Sequence, residues 1–547
     1  MHIIDWIVLV VVLLCIIIYG IYKSRTTKNL EGYFLSNRSL PWFLVLMSIM
    51  GTQASAITFL TGPGQAYSDG MRFVQYYFGL PLAMIVISYF FVPVYTKLKV
   101  YTAYEFLEKR FDLKTRTLTS FLFLLSRGLS TGVSIYAPSL ILSSLMGWNI
   151  YITNVVMGGV LIIYTMTGGA KAVAYTQVLQ MTIVFISLIL VGYIAVTLLP
   201  GSMGFKEAIN EAKSLGKMNV ITTGFKADGS FDWKDKYNLW SGIIGGFFLA
   251  LSYFGTDHSQ VGRYLTAKNA SESRKGLLMN GLVKIPMQFF ILLLGVLIFI
   301  VYLYKKAPVF FDETRMELAA ATSYGPQLES IKSNYNLAFD KGDRKEVDKY
   351  REEYRSVLVK ALPYDNGNDN NYIFLRFVKD NLPIGLIGLL FAVIFLAAWG
   401  SIAAALNSLA ACSMVDFHKK FFVKNDSEFH EFRISQWYTF GWGIFCIIIA
   451  MFAHNIGNSL IETVNILGSI FYGVILGVFL VAFWIKRIGG HSIFISAFLS
   501  QIIVIVIYNL EIISFLWLNV IGALLVILVG ILVQSFLNVT KLKNNQI

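Results

Sequence analysis

Charge is scarce in this chain of 547 residues: Asp, Glu, Lys and Arg together make up 14% of it, against 56% apolar types. A soluble core of this length needs a far larger polar skin, so the balance excludes a soluble globular protein and fits a polytopic membrane protein. Cysteine is almost missing. Cys15, Cys412 and Cys446 lie far apart within apolar stretches, which excludes a disulfide framework and a cysteine metal site. The six histidines are scattered, without zinc-ligand spacing. No paired carboxylates, histidine cluster or nucleophile with its base stands at membrane depth, so an integral membrane enzyme has no machinery. A basic n-region is also lacking before the first apolar stretch, which opens Met1-His2-Ile3-Ile4-Asp5. That stretch is expected to remain as an anchor and not to be cleaved as a signal.

What is present is a series of long apolar runs. Spans of about 17–25 such residues cross a bilayer, and thirteen are read here: 4–22, 43–62, 76–95, 119–145, 150–166, 176–199, 239–260, 277–304, 381–412, 434–453, 460–485, 490–509 and 514–536. The net charge of +13 could suggest nucleic acid, but its placement excludes that. The basic residues fall in alternate loops. Lys23, Arg25, Lys28 and Arg38 are followed by Lys97, Lys99, Lys109, Arg110, Lys114 and Arg116. Arg263, Lys268, Arg274 and Lys275 come next, then Lys419, Lys420 and Lys424, and last Lys486, Arg487, Lys541 and Lys543. By the positive-inside rule these loops are cytoplasmic, the N-terminus outside and the C-terminus inside. Two longer segments, 200–238 and 305–380, are then external. Within the second, residues 344–355 alternate acids and bases near i,i+4 spacing, which predicts a solvated surface helix in preference to a ligand-binding cap.

One span is interrupted halfway. Gly51-Thr52-Gln53-Ala54-Ser55-Ala56 is small and polar where a lipid-facing helix would carry Leu, Ile and Val. Backbone leaves regular helix at membrane depth only where protein or water satisfies it. Broken helices of this kind expose carbonyls and helix ends to ions and solutes in secondary transporters, so transport is the leading reading. Leaving out the first span and the last two gives two sets of five, 43–199 and 239–485. The first member of each set is glycine-interrupted, by Gly51 and by Gly242, Gly245 and Gly246, and the third member of each is long. An odd number of spans per set inverts the second relative to the first. The expected fold is an all-α membrane protein with a five-plus-five inverted-repeat core. Close helix packing is the other common use of membrane glycines.

A hard cation such as sodium is held by several oxygens, which freed carbonyls and hydroxyls supply without a buried carboxylate. Carbonyls near Gly51 and Ala54 could do this, and residues 396–408 add small side chains and the Ser401 hydroxyl. A packing face of small residues is the alternative for 396–408.

Several segments resemble the sodium/solute symporters. Trp399 to Ser408 (WGSIAAALNS) is similar to the eighth core helix of that family, and Tyr164 to Val173 to its YxxxGGxxAV signature. Gly255-Thr256-Asp257 with Gln260 to Leu265 resembles its GTDQxxVQRYL segment. Ile135 to Leu140 is similar to the iodide, multivitamin and monocarboxylate branch. The resemblance runs from about 30 to 490 and implies a fold of the LeuT type. It implies a sodium site with carbonyls of Gly51, Ala54 and Ala397 and the Ser401 hydroxyl. Gly400 stands where a second hydroxyl residue is usual, and Gln177 where an aspartate is usual. Positions that contact sugar in the family's sugar carriers become Thr58, Tyr77, Ala250 and Lys284, of which only Lys284 keeps its type. Tyr253 matches a gating tyrosine and Tyr76 an outer gate position. Gln53, in the interrupted patch, is taken with the solute-binding set. Lys284 and Arg127 are ionisable groups inside apolar spans, with snorkelling towards the cytoplasmic end as the alternative to a role at the site.

The sequence thus predicts a cell-membrane symporter in contact with the lipid bilayer, with sodium as coupling ion, a small organic solute as cargo and no nucleic-acid partner. Sugar, sugar acid and monocarboxylate-like anions all suit it. The expected organisation is an extra helix and loop at 1–40, a first repeat at 41–199, an external loop at 200–238, a second repeat at 239–485 and extra helices at 486–547. A sodium-independent carrier or a solute sensor on the same fold is the alternative. A sensor kinase needs a cytoplasmic signalling domain, and only about ten residues follow the last span.

Overall fold

The computed structural model describes residues 2–24, 30–363, 366–422, 427–453 and 459–544. Arg25, Lys28 and Lys424 of the basic loops lie outside them. The described residues are helical, with two isolated bridges, Leu40 to Ala267 and Phe225 to Phe231, in place of any strand. Among the described residues, ten helices are long and apolar enough to cross a membrane, and three shorter apolar ones occur at Trp42–Gln53, Ile150–Met166 and Ser241–Gly255.

Helix α1 (Ile3–Ser24) lies at the edge of the bundle, largely exposed, with Leu9 and Ile16 buried in the core. The interrupted span is two helices, α2 (Trp42–Gln53) and α3 (Ala56–Asp69), separated by Ala54 and an extended Ser55. The N–H of Ala54 closes α2 on the Met50 carbonyl, while that of Ser55 turns back to Gln53 (3.2 Å) instead of reaching Gly51. The Gly51 carbonyl is thereby released from the helix ladder. A tight turn at Gly70–Tyr77 leads into residues 80–98. Helix α4 (Leu113–Met146) is long, as expected. A loop near 167–175 was expected between two spans. Helical backbone runs through it instead, in one stretch, α5 (Ile150–Thr197). Glycine inside a helical pattern is tolerated at a modest cost.

The second half differs from expectation in a telling way. Gly242, Gly245 and Gly246 do not break their span. Gly242 and Gly245 lie in a π turn (Ser241–Gly245) that runs straight into α6 (Gly246–Gly255), which Gly246 begins. A Cβ on Gly242 would stand 2.1 Å from the Gln75 carbonyl oxygen, and one on Gly246 2.5 Å from that of Tyr76. These glycines serve close helix contact. The break comes later, at Thr256 and Asp257, where the Asp257 carboxylate caps α7 (His258–Leu265) through the Ser259 N–H (2.8 Å). Helix α8 (Ala270–Tyr304) follows. Helix α9 (Leu386–Cys412) is buried along nearly its whole length, so it forms the centre of the bundle, with α1, α4 and α5 packed on it and α10 (Leu460–Trp484) packed on α4.

The two long connections lie at the same end of the molecule. Lys217 Nζ donates to the Tyr67 carbonyl (2.9 Å), and Arg344 pairs with Glu211 (3.2 Å). The charged helix expected at 344–355 extends over Arg344–Ala361. Its solvated face is only part of it, because Tyr354, Val357 and Leu358 are buried with Phe310, Ile331 and Tyr335 in a small separate core.

Candidate functional site

A cavity of about 100 Å³ lies among the two broken-helix pairs, α4 and α10. Gln53, Ser55 and Thr58 reach it from the first break. Tyr76 and Tyr77 come from the turn that follows, and Ala250 and Tyr253 from α6. Five of the six expected solute-binding residues therefore line one space: Gln53, Thr58, Tyr76, Tyr77 and Tyr253. Lys284 does not. It is fully buried behind Tyr77, with Nζ 5.3 Å from the centre of that ring.

The wall is aromatic. Tyr76 and Tyr77 meet edge to face at 4.7 Å, and Tyr253 and Tyr472 lie 5.8 Å apart. Such rings offer broad apolar contact with a polar tip. The Tyr76 hydroxyl donates to Asn465 Oδ1 (3.0 Å), tying the turn to α10. Gln260 Nε2 donates to the Tyr253 hydroxyl (2.7 Å), which fixes that ring from α7.

One charged cluster borders the cavity. Arg127 of α4 lines it and donates through Nη2 to Asp257 Oδ2 (2.8 Å) and to Ser259 Oγ. The Tyr472 hydroxyl reaches the same carboxylate oxygen (2.8 Å), and Ser259 N–H and Oγ satisfy Oδ1 (2.8 and 2.6 Å). The cluster joins α4, α7 and α10 exactly where the second helix breaks. Asp257, Asn465 and Tyr472 were not assigned from sequence. A carboxylate in an apolar span was the available signal for Asp257; a lone Asn or Tyr in a span carries none.

The expected ion ligands fall on two elements that face each other. Gly51 and Ala54 sit at the end of α2, and Ala397, Gly400 and Ser401 on α9, all buried. Ser401 Oγ donates to the Ala398 carbonyl (3.0 Å). Gln177 of α5 fills the space between them, its Nε2 3.2 Å from Thr52 Oγ1 and 3.4 Å from the Gly400 carbonyl. Turned over, the same amide donates to Ser48 Oγ (2.9 Å) and accepts from the Thr52 N–H (3.2 Å), which satisfies more groups. Either way Gly51 makes room for it, and Gly400 makes room for Gln180, also of α5. A Cβ on Gly51 would lie 2.7–2.9 Å from Cβ, Cγ and Cδ of Gln177, and one on Gly400 2.7 Å from Gln180 Oε1. Gly51→Ala should therefore cost about 1–3 kcal/mol through overpacking, read as a lower unfolding temperature in detergent. Gln177→Ala in the same chain should restore most of it. A Gly51→Ala protein as stable as the parent would show that Gln177 does not occupy this space.

Comparisons with known proteins point one way. A sequence model of the sodium:solute symporter family matches residues 33–322 and 350–500. The sodium/sialic acid symporter NanT of Aliivibrio fischeri is 25% identical over 543 residues, covering 99% of this chain and 94% of its own. The sodium-dependent multivitamin transporter of Oryctolagus cuniculus is 26% identical over 484 residues, 87% of this chain and 65% of its own. Among solved structures, a sodium-coupled sialic acid symporter in a substrate-bound, outward-open state superposes with a TM-score of 0.77 at 23% identity. It covers 97% of this chain and 98% of the other, so the two share a fold.

Proposed function

Since the chain belongs to the sodium:solute symporter family, a family of multi-pass membrane transporters and not of enzymes, we propose that its cavity holds the cargo. Sodium is the coupling ion and a small organic solute, of the sugar, sugar-acid or monocarboxylate kind, is what moves. In this reading Gln53, Thr58, Tyr76, Tyr77 and Tyr253 contact the solute. Gly51, Ala54, Ala397, Gly400 and Ser401 surround the ion. The repeats 41–199 and 239–485 rock or gate about that site, as inverted repeats do, while 1–40 and 486–547 add peripheral helices.

The observation that carries this reading is the meeting of both helix breaks at one small cavity: Gln53 and Ser55 flank the first, and Tyr253 stands one turn before the second. Purified protein in liposomes, given labelled sialic acid, glucose and pyruvate, should accumulate one of them only under an inward sodium gradient. Accumulation indifferent to sodium would favour a sodium-independent carrier, the reading that Gln177 between the ion-site residues supports.

The lipid partner is the cell (inner) membrane, with the N-terminus outside and the C-terminus in the cytoplasm; the net positive charge serves that orientation and no nucleic acid. Lys109 and Lys341 are both exposed. With Cys15 replaced by serine, Lys341→Cys should react with an impermeant maleimide on intact cells. Lys109→Cys should react only after permeabilisation. The reverse pattern would invert the topology.

A further inference from the structure

Helix α8 carries a line of buried polar side chains that neither the cavity nor the ion site uses. Asn280, Lys284 and Gln288 are spaced four apart, so they share one face of the helix and span about 12 Å along it. All three are fully buried. Asn280 Oδ1, Lys284 Nζ, and both amide atoms of Gln288 have no hydrogen-bond partner. Asn280 Nδ2 has only the Met84 sulfur at 3.9 Å. Buried polar groups are ordinarily paired, and four orphan atoms in one row mark a path that another species completes.

Lys284 is the centre of the row. The neighbouring turn brings Tyr77, and beside it Tyr76, whose hydroxyl is bound to Asn465. Helix α2 and residues 80–86 contain no ionisable side chain, and α3 contains only Tyr67 and Asp69 in its last turn. Helix α5 meets this region with Met181 and Val184. Its ionisable side chains, Tyr151, Tyr164, Lys171, Tyr175 and Tyr193, lie elsewhere along it. The remaining ionisable groups packed on α8 lie towards its ends. His258, Arg263 and Tyr264 of α7, with Tyr89, Tyr95 and Lys97, flank the start. Lys206, Glu207, Glu211, Lys213 and Lys217, with Tyr372, Arg376, Lys379 and Asp380, flank the finish. Arg72, near the start of the turn, is paired with Asp69 and Asp235. On α8 itself the nearest ionisable groups are Lys275 and Arg274, more than two turns away, with Glu272 before them and Tyr302 and Tyr304 beyond. No carboxylate is paired with the amine among the described residues. An ammonium ion buried so is costly, and one ring face recovers less than lost hydration takes away. The occluded state therefore suits the neutral amine.

We propose that Lys284 is a proton-binding site coupled to the cavity through Tyr77, so that the protein carries a proton in addition to sodium. This rests on the transport reading above. Tyr77 forms the cavity wall on one face and covers the amine on the other. When the ring swings aside and water arrives, the nitrogen lone pair forms an N–H bond as an O–H bond of hydronium breaks, leaving water. Facing the other side, the same N–H gives its proton back to water. The orphan amide oxygens of Asn280 and Gln288, one turn to either side, are acceptors for the ammonium and for the water file that reaches it.

Two measurements separate this proposal from the transport reading. The first needs no solute: a proton titration of the detergent-solubilised protein between pH 5 and 9, wild type minus Lys284→Met, with Lys284→Gln as a second variant should the first not fold. A difference of one proton per chain is expected, and none overturns the proposal. The second uses liposomes with an internal pH dye, sodium at equal concentration on the two sides, pH 6 outside and 7.5 inside, and labelled sialic acid, glucose or pyruvate. Uptake should acidify the lumen in the wild type and not in Lys284→Met. Equal acidification in both overturns the proposal. If no solute moves under any gradient, the transport reading fails, and the titration still decides the proton site.

Discussion

Arg127→Ala should abolish uptake and destabilise the protein by about 3–5 kcal/mol, the usual cost of removing one partner of a buried ion pair. The size follows from what remains. The Asp257 side chain is fully buried, and Arg127 is the only cation among its four partner groups, the others being the Tyr472 hydroxyl and the N–H and Oγ of Ser259. Without the guanidinium an uncompensated carboxylate stays in the middle of the bundle, at the point where α6 gives way to α7. Arg127→Gln combined with Asp257→Asn removes both charges and should recover most of the lost stability. Thermal unfolding in detergent reads the first effect, and uptake by the recovered double variant reads the second. If the double variant is stable yet inactive, the pair has a role in gating beyond holding the fold. A single variant that melts with the parent would show that the pair does not form.

Much of this arrangement was legible in the sequence, and the parts that were not share a cause. The break at Ala54 and Ser55 could be read because small and polar residues replaced aliphatic ones over several consecutive positions. The second break could not be located by the same rule. Glycine serves both for kinks and for close approach, and only the carbonyls of Gln75 and Tyr76, from a distant part of the chain, reveal which use Gly242 and Gly246 have. Asp257 carried the true signal, as an N-cap residue before a short helix, inside a segment read only as a motif. Lys284 was placed in the cavity by its position along α8. Position fixes height and face but not the ring that stands between, and Tyr77 comes from another element. Gln177 was read as a missing carboxylate. In the fold it is an occupant, accommodated by Gly51 on α2 and lying 3.4 Å from the Gly400 carbonyl on α9, a three-body relation that no local pattern expresses.

That relation decides the second large effect expected. Ser401→Ala should raise the sodium concentration for half-maximal uptake at least tenfold, and Gln177→Asp should lower it about tenfold, each tenfold step being about 1.4 kcal/mol. Ser401 offers the one side-chain hydroxyl among the expected ion ligands, and its Oγ donates to the Ala398 carbonyl (3.0 Å). In the reading proposed above, alanine there leaves the ion one oxygen short. The change at 177 acts in the opposite direction by charge. A carboxylate at about 4 Å attracts a cation by about 4 kcal/mol at an effective dielectric of 20. Desolvating that carboxylate takes back much of it, leaving a gain of one to two kcal/mol. Gly400→Ser should add to the gain only if the Gln180 amide, unpartnered at both atoms, turns to receive the new hydroxyl. Sodium dependence of uptake, measured for the three variants in the same liposomes, tests the set. Curves that superpose on the parent would remove the ion from between α2 and α9.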